Sequence, residues 1–245
     1  MYLYGKKSVA ERLKANPGSI NRILIQDGFS EPGIEILIKA GRVPVKRVSE
    51  KELSRIKRAD RLQGIVAEVG PFSYTPFEEL IYDSQKKDRS FIFVDGLNDP
   101  HNLGAIMRTA ACFGGFALVI PQHGACGVTD AVMHVSSGGE NYVPVCMVTN
   151  MVTALLNAKK EGFWVAGAVV EGGQDINAVS LPFPLCLVLG SEGKGIRHGV
   201  RKHIDVGVTL PMRGAALSFN VAMACAIFCH EIAKQRSIGN GQKTK

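Results

Sequence analysis

The chain reads as an α/β protein: a parallel sheet covered by helices on both faces, preceded by a small α/β unit. Three observations carry this. From Ser90 onward, short β-branched runs alternate with helical patterns. Those runs are apolar throughout, with no in-out alternation, as burial on both faces demands. A break at Gly70-Pro71 sets off a first segment with strand and helix patterns of its own. With 245 residues there is room for one large or two modest domains and a substantial core.

Along the first unit, residues 9–15 read as a helix stopped by Asn16, Pro17 and Gly18. Strands are expected at 20–25 and 43–48, with a helix at 34–40 between them. Ser49 resembles an N-cap, with Glu52 three residues on as in a capping box, and a strand at 65–69 closes the unit. Residues 71–89 hold two prolines and the run Lys86-Lys87-Asp88-Arg89, which suits a linker with a short helix near 77–82. This gives a unit at 1–70, a linker at 71–89 and a larger domain at 90–245. In the larger domain strands are expected at 91–94, 117–120, 143–148, 164–169, 185–189 and 206–210. Helices are expected at 103–113, 130–136, 151–161, 197–203 and 219–236. The polar, glycine-rich tail 237–245 is expected to be disordered.

Hydrophobic residues make up 46% of the chain and charged ones 21%, the balance of an ordinary globular protein. With no run of 18 or more apolar residues, no membrane partner is expected. The N-terminus lacks the charge-then-apolar order of a signal peptide, so no export is expected either. The six cysteines, at 112, 126, 146, 186, 225 and 229, form no Cys-x-x-Cys pair and no Cys/His spacing suited to zinc. Buried free thiols in a reducing cytoplasm, with no metal, are the expectation. The charge of +7 is uneven: residues 1–70 hold 14 Lys/Arg against 8 Asp/Glu, and the remainder is nearly neutral. Arg42, Lys46, Arg47, Lys51, Arg55, Lys57 and Arg58 crowd one stretch, which suggests a polyanion such as nucleic acid, against the plainer reading of solvated helix faces.

Three polar islands interrupt the apolar second half: 95–108, 187–197 and 210–220. Each begins where a strand-like run ends, the place where ligands bind in open α/β sheets. Gly-x-Gly-x-x-Gly, Walker and Gly-x-Ser-x-Gly signatures are missing; after Gly193-Lys194-Gly195, His198 stands where a third glycine belongs. Singly, the island residues have plain structural readings: Asn102 can cap a helix beginning at Leu103, Ser218 can cap the terminal helix, and Gly190, Gly193 and Gly195 can be turn residues. Arg108 is less easily explained. It stands within Ala105-Ile106-Met107-Arg108-Thr109-Ala110-Ala111, a stretch fit for burial, where a guanidinium needs a carboxylate or phosphate. Glu192 is one candidate partner and a substrate phosphate is the other.

The order Asn102-x-Gly104-x-x-x-Arg108, Leu189-Gly190-x-Glu192-Gly193-x-Gly195 and Pro211-Met212-x-Gly214-x-x-x-Ser218-x-Asn220-Val221 resembles the SpoU, or TrmH, family of RNA ribose 2′-O-methyltransferases in the SPOUT class. The likeness spans residues 91–236 and includes the segment from Ser137 to Val145. The first unit resembles the substrate-binding domain of members acting on large-subunit ribosomal RNA, although Leu62 stands where many have histidine. The resemblance implies S-adenosylmethionine as cofactor, a C-terminal trefoil knot and a homodimer. It assigns catalytic and substrate-orienting places to Asn102, Arg108, Glu192, Ser218 and Asn220, and cofactor contacts to the loops at Gly190, Leu210 and Phe219. Many members have leucine in place of Phe219. A 2′-hydroxyl acceptor implies RNA and excludes DNA. Transfer RNA as the target, or a catalytically silent RNA-binding or ribosome-assembly role on the same fold, are the alternatives.

Overall fold

The computed structural model describes residues 1–59, 61–215 and 217–242, the last five of these as backbone only. In the first unit the strands are β1 (Tyr2–Tyr4), β2 (Ile20–Gln26), β3 (Val45–Val48) and β4 (Ile65–Val69), and the helices are α1 (Lys6–Ala15), α2 (Pro32–Gly41) and α3 (Glu50–Ile56). They form a sheet ordered β1-β4-β2-β3, in which β4 runs antiparallel to both neighbours and β2 pairs parallel with β3. The unpredicted strand is β1, too short at three residues to show a period. Ser49 caps α3, accepting the Glu52 N–H at 3.2 Å, but the Glu52 carboxylate turns to Lys46 instead of closing the box.

Beyond it lie α4 (Phe77–Lys86), β5 (Ser90–Asp95), α5 (Pro100–Phe113), β6 (Phe116–Pro121), α6 (Asp130–Ser136), β7 (Val145–Val148) and α7 (Met151–Lys160). The chain continues through β8 (Trp164–Ala168), β9 (Gln174–Asp175), β10 (Leu185–Gly190), α8 (His198–Arg201), β11 (Val206–Thr209) and α9 (Val221–Gln242). The seven strands are ordered β7-β6-β5-β10-β8-β11-β9, and every pairing is parallel. Successive residues of β5, β6 and β10 feed two cores. Ile92, Val94, Leu118, Leu187 and Leu189 pack with Met107, Cys225 and Phe228 on one face. Phe91, Phe93, Val119, Cys186 and Val188 pack with Leu80, Leu155 and Val200 on the other. That division explains why the strand sequences show no alternation.

The first core runs on into the N-terminal sheet through Leu3, Val9, Ile23 and Ile65. Polar contacts join the same surfaces: Tyr4 stacks on His134 with ring centroids 4.1 Å apart, Lys57 pairs with Asp130 at 2.6 Å, and Arg12 meets Glu140 at 3.4 Å.

At the C-terminus α9 continues to Gln242, so the expected disorder from 237 is corrected for 237–242; residues 243–245 lie outside the described ones. Once a helix is nucleated each further residue adds a backbone bond, which lets it extend through residues of weak propensity. Of Ala222, Cys225, Ala226 and Cys229, whose small size suits either dimer packing or burial, all but the half-buried Ala226 lie in the chain's own core. The helix is latched on two sides. Gln235 accepts the Leu181 N–H at 2.9 Å and donates to the Val179 carbonyl at 3.0 Å. Arg236 donates to the carbonyls of Asp88, Gly114 and Gly115 at 3.1, 3.2 and 2.6 Å, over the ring of Phe116. Arg236→Met removes those donors, leaving the Gly115 carbonyl only the Ser90 N–H at 3.0 Å, a loss of about 1–3 kcal/mol. Calorimetry should show Tm lower by roughly 3–10 °C.

Candidate active site

At the C-terminal ends of β8, β10 and β11 lies a cavity of about 530 Å3. Three segments wall it: 168–170 after β8, 189–195 after β10, and 210–221 leading into α9. Val169, Leu189, Leu210, Phe219 and Phe228 make it largely apolar, and Ser218, Glu192 and Asn220 add polar groups. An apolar pocket with a few convergent polar groups is the usual form of a small-ligand site.

Local sequence dictates the shape of the second segment. A Cβ on Gly190 would stand 2.2 Å from the Gly195 carbonyl carbon and 2.3 Å from the Ile196 nitrogen, so only glycine lets the chain double back there. Ser191 and Gly195 then exchange backbone bonds of 3.1 and 2.9 Å, which carries Glu192 to the rim.

Glu192 meets two amides. Its Oε1 accepts Nδ2 of Asn220 at 2.7 Å and Nδ2 of Asn102 at 3.1 Å, and Asn220 Nδ2 also donates to Asn102 Oδ1 at 2.9 Å. The Oδ1 atom of Asn220 accepts the N–H groups of Ala222 and Met223 at 2.9 and 3.4 Å, capping α9. Because the cap takes the amide oxygen, the amide nitrogen faces the carboxylate. Three separate islands thus close on one carboxylate.

Both capping alternatives are corrected. Helix α5 begins at Pro100, with Asp99 accepting the His101 N–H at 2.8 Å, so Asn102 lies inside the first turn. Ser218 precedes the true cap and lines the cavity.

The expected burial of Arg108 against Glu192 is also corrected. Arg108 is exposed, and its Nη1 makes a long 3.5 Å contact with Ser137 Oγ. The reason is helical geometry. Asn102, Leu103, Ile106, Met107 and Ala110 face inward, whereas His101, Ala105, Arg108 and Cys112 share an outer stripe. Six residues also place Arg108 about 9 Å further along the axis than Asn102. The alanines around it that suggested burial include Ala105 and Ala111, which are only half-buried.

Gly190, Leu210, Phe219, Ser218, Glu192 and Asn220 therefore meet at the cavity, with Asn102 bonded behind them, and Arg108 stands apart. The reading of the islands missed the wall formed by Ala168, Val169 and Val170. Its signal was the C-terminal end of a strand beside the other two loops. Among the described residues no group of three or more His, Cys, Asp or Glu is placed to hold a metal ion. None of the described helices is long and apolar enough to cross a membrane.

The profile of the SpoU rRNA Methylase family matches residues 89–230, and one described as RNA 2'-O ribose methyltransferase substrate binding matches residues 2–75. The 23S rRNA (guanosine-2'-O-)-methyltransferase RlmB of Pseudomonas putida is 34% identical over 242 residues, covering 96% of this chain and 97% of that protein. A solved structure of a putative TrmH-family RNA methyltransferase from Porphyromonas gingivalis has a TM-score of 0.71 at 27% identity, covering 94% of this chain and 88% of that one. The SpoU methyltransferase AviRb from Streptomyces viridochromogenes, solved in complex with AdoMet, shares the fold with a TM-score of 0.78 at 21% identity, covering 96% and 90%.

The amide–carboxylate network has a titratable signature. Asn220→Asp keeps the capping oxygen and sets a second carboxylate against Glu192. Each then raises the other's folded-state pKa above its unfolded value. For carboxyls raised in this way the penalty is absent below the unfolded pKa, near about 4, and grows as pH climbs through the folded values. Melts of variant and parent should therefore diverge from acid to neutral pH, by on the order of 1 kcal/mol at this exposed rim. A difference independent of pH would mean the network does not form.

Proposed function

The chain belongs to the SpoU rRNA Methylase family, and we propose that it transfers a methyl group from S-adenosylmethionine to a ribose 2′-hydroxyl of large-subunit ribosomal RNA. The observation that carries this reading is the Glu192 carboxylate, held by Asn102 and Asn220 at the mouth of an apolar cavity of about 530 Å3.

The residues present fit the cofactor. Val169, Leu189, Leu210 and Phe228 offer apolar walls for a flat ring, and the tight Gly190–Gly195 turn leaves backbone facing the cavity. The cofactor, when bound, supplies an electrophilic methyl group on a sulfonium. Glu192 favours positive charge at the rim, while Asn102 and Asn220 fix its direction. Ser218, exposed beside Asn220, aligns the acceptor nucleotide with it. The loops at Gly190, Leu210 and Phe219 hold the cofactor.

Arg108 stabilises the negative charge that develops on the ribose oxygen as its proton passes to solvent water. A guanidinium is a poor base, so its role is electrostatic. Because it stands on the outer face of α5, Arg108 meets the ribose only when RNA or a second subunit covers that face. A homodimer supplies such a cover. Met223 and Ile227 stand exposed on one stripe of α9, and Phe113 on α5 lies against His230 with ring centroids 6.1 Å apart. Apolar side chains exposed in this way are what a subunit contact buries.

In this reading the last helix threads the loops before it as a trefoil knot. What supports the reading is the latching of α9 by Gln235 to the segment at 179–181 on one side and by Arg236 to the turn at 114–115 on the other. The first 70 residues form an RNA-binding unit whose sheet shares the first core with the methyltransferase domain, and α4, within the expected linker 71–89, packs into that domain's second core. Arg47, Lys51, Arg55 and Arg58 are exposed there and suit phosphate contacts. They would deliver an unstacked nucleotide to the cavity. The free cysteines agree with a cytoplasmic setting, where ribosomal RNA is made and modified.

With labelled S-adenosylmethionine, label should enter large-subunit ribosomal RNA as a 2′-O-methyl ribose and should not enter DNA of the same sequence. Label found only in transfer RNA would shift the substrate assignment, and none in any RNA would overturn the function. Arg108→Lys keeps the charge and loses the fork. Its turnover should fall at least about tenfold with cofactor affinity retained, the cost of one charge-stabilising donor. Arg47→Glu with Arg55→Glu should weaken RNA binding and lower the salt slope by about one for each phosphate no longer neutralised. An unchanged slope would remove the basic unit from the RNA interface.

A further inference from the structure

Asp95, the last residue of β5, lies in ladder register with Gly190, the last residue of β10. Its side chain is fully buried, and both oxygens bind one residue. Oδ2 accepts the Arg197 backbone N–H at 2.8 Å, and Oδ1 accepts Nε at 2.7 Å and Nη2 at 2.6 Å. The chain between Gly190 and Arg197 is the loop that carries Glu192. Both ends of that loop are therefore fastened to a single residue, one by backbone pairing and the other by a carboxylate.

Besides the bonds of Glu192 to Asn102 and Asn220, the loop's own contacts are few among the described residues. Ser191 and Gly195 bond to each other, Gly193 and Gly195 adopt φ of 82° and 63°, and Ile196 is its buried apolar anchor. The glycines of this turn bring no side chains of their own to set its height above the sheet, which leaves that to Ile196 and the two fastened ends. Arg197 itself is half exposed, with 54% of its side chain open to solvent. A charge pair with one partner wholly buried adds little net stability, because desolvation offsets the attraction; what a forked pair supplies is direction.

We propose that Asp95 and Arg197 are positioning residues for the cofactor and for Glu192. The carboxylate holds the far end of the 190–197 loop at the height where Oε1 of Glu192 meets the amides of Asn102 and Asn220 and the loop backbone walls the cavity. The loop part stands on geometry alone; the cofactor part rests on the function proposed above.

The two parts separate in one set of measurements on the full chain. Arg197→Lys retains a cation for Asp95 and loses the fork and its direction. Asp95→Asn removes the charge and one accepting oxygen. Amide hydrogen exchange of the unliganded protein should show faster exchange at residues 191–196 in both variants, with β5 and α5 unchanged. S-adenosylmethionine affinity should fall by about tenfold or more, the scale of a missing hydrogen bond to a charged group. RNA affinity should hold, since the basic unit is untouched. Should Asp95→Asn fail to fold, Arg197→Lys carries the test. Unchanged exchange in the loop, or faster exchange with undiminished cofactor affinity, overturns the proposal. If the parent chain itself bound no S-adenosylmethionine while the loop loosened in the variants, the clamp would stand and the cofactor reading would fall.

Discussion

The amide of Asn220 is satisfied on both sides. Its oxygen takes two N–H groups at the head of α9, and its nitrogen reaches Glu192 and Asn102. Neither half can move without the other: rotating the amide to free the carboxylate would turn a nitrogen toward two helix donors. Because capping an α-helix is worth about 1 kcal/mol, the rotation is opposed before any ligand enters. The direction of Glu192 is thus tied to the start of the longest helix in the chain. Three loops distant in sequence share a fixed geometry through this residue.

The sheet gives those loops a common edge. Parallel strands β8, β10 and β11 all end at the same side, so the segments that follow them gather there. Burial on both faces keeps the strands rigid, and the loops inherit that rigidity at their roots. The end of α9 is held as firmly as its head, by Gln235 and Arg236. A cavity built between a sheet edge and a helix fixed at both ends is shaped before its ligand arrives, and the cost of binding falls accordingly.

Much of this was legible in the residues, because uniform β-branched runs and intervening helical patterns are strong signals. All six strands expected in the larger domain are present. The two that escaped, β1 and β9, have three and two residues, too few for any period to show. The site was legible as three islands, and the meeting of Asn102 with Glu192 and Asn220 was not, since pairings between segments 90 and 118 residues apart leave no local trace. Arg108 shows the limit of composition. Small alanines around an arginine read as core, yet on a helix two of them belong to half-covered faces, and the guanidinium went to the outside. The capping alternatives failed for a similar reason: Asp99 and Asn220 are better placed caps than Asn102 and Ser218, and only the backbone decides between neighbours.

The central claim is that the cavity at the ends of β8, β10 and β11 is the seat of S-adenosylmethionine. A crystal structure of the chain grown with that compound tests it most directly. The account predicts the ligand between the segments 168–170, 189–195 and 210–221, with its charged end toward Glu192. Density in the other large cleft, between Arg12 and Arg89 at the opposite end of the sheet, with this cavity filled only by water, would contradict it.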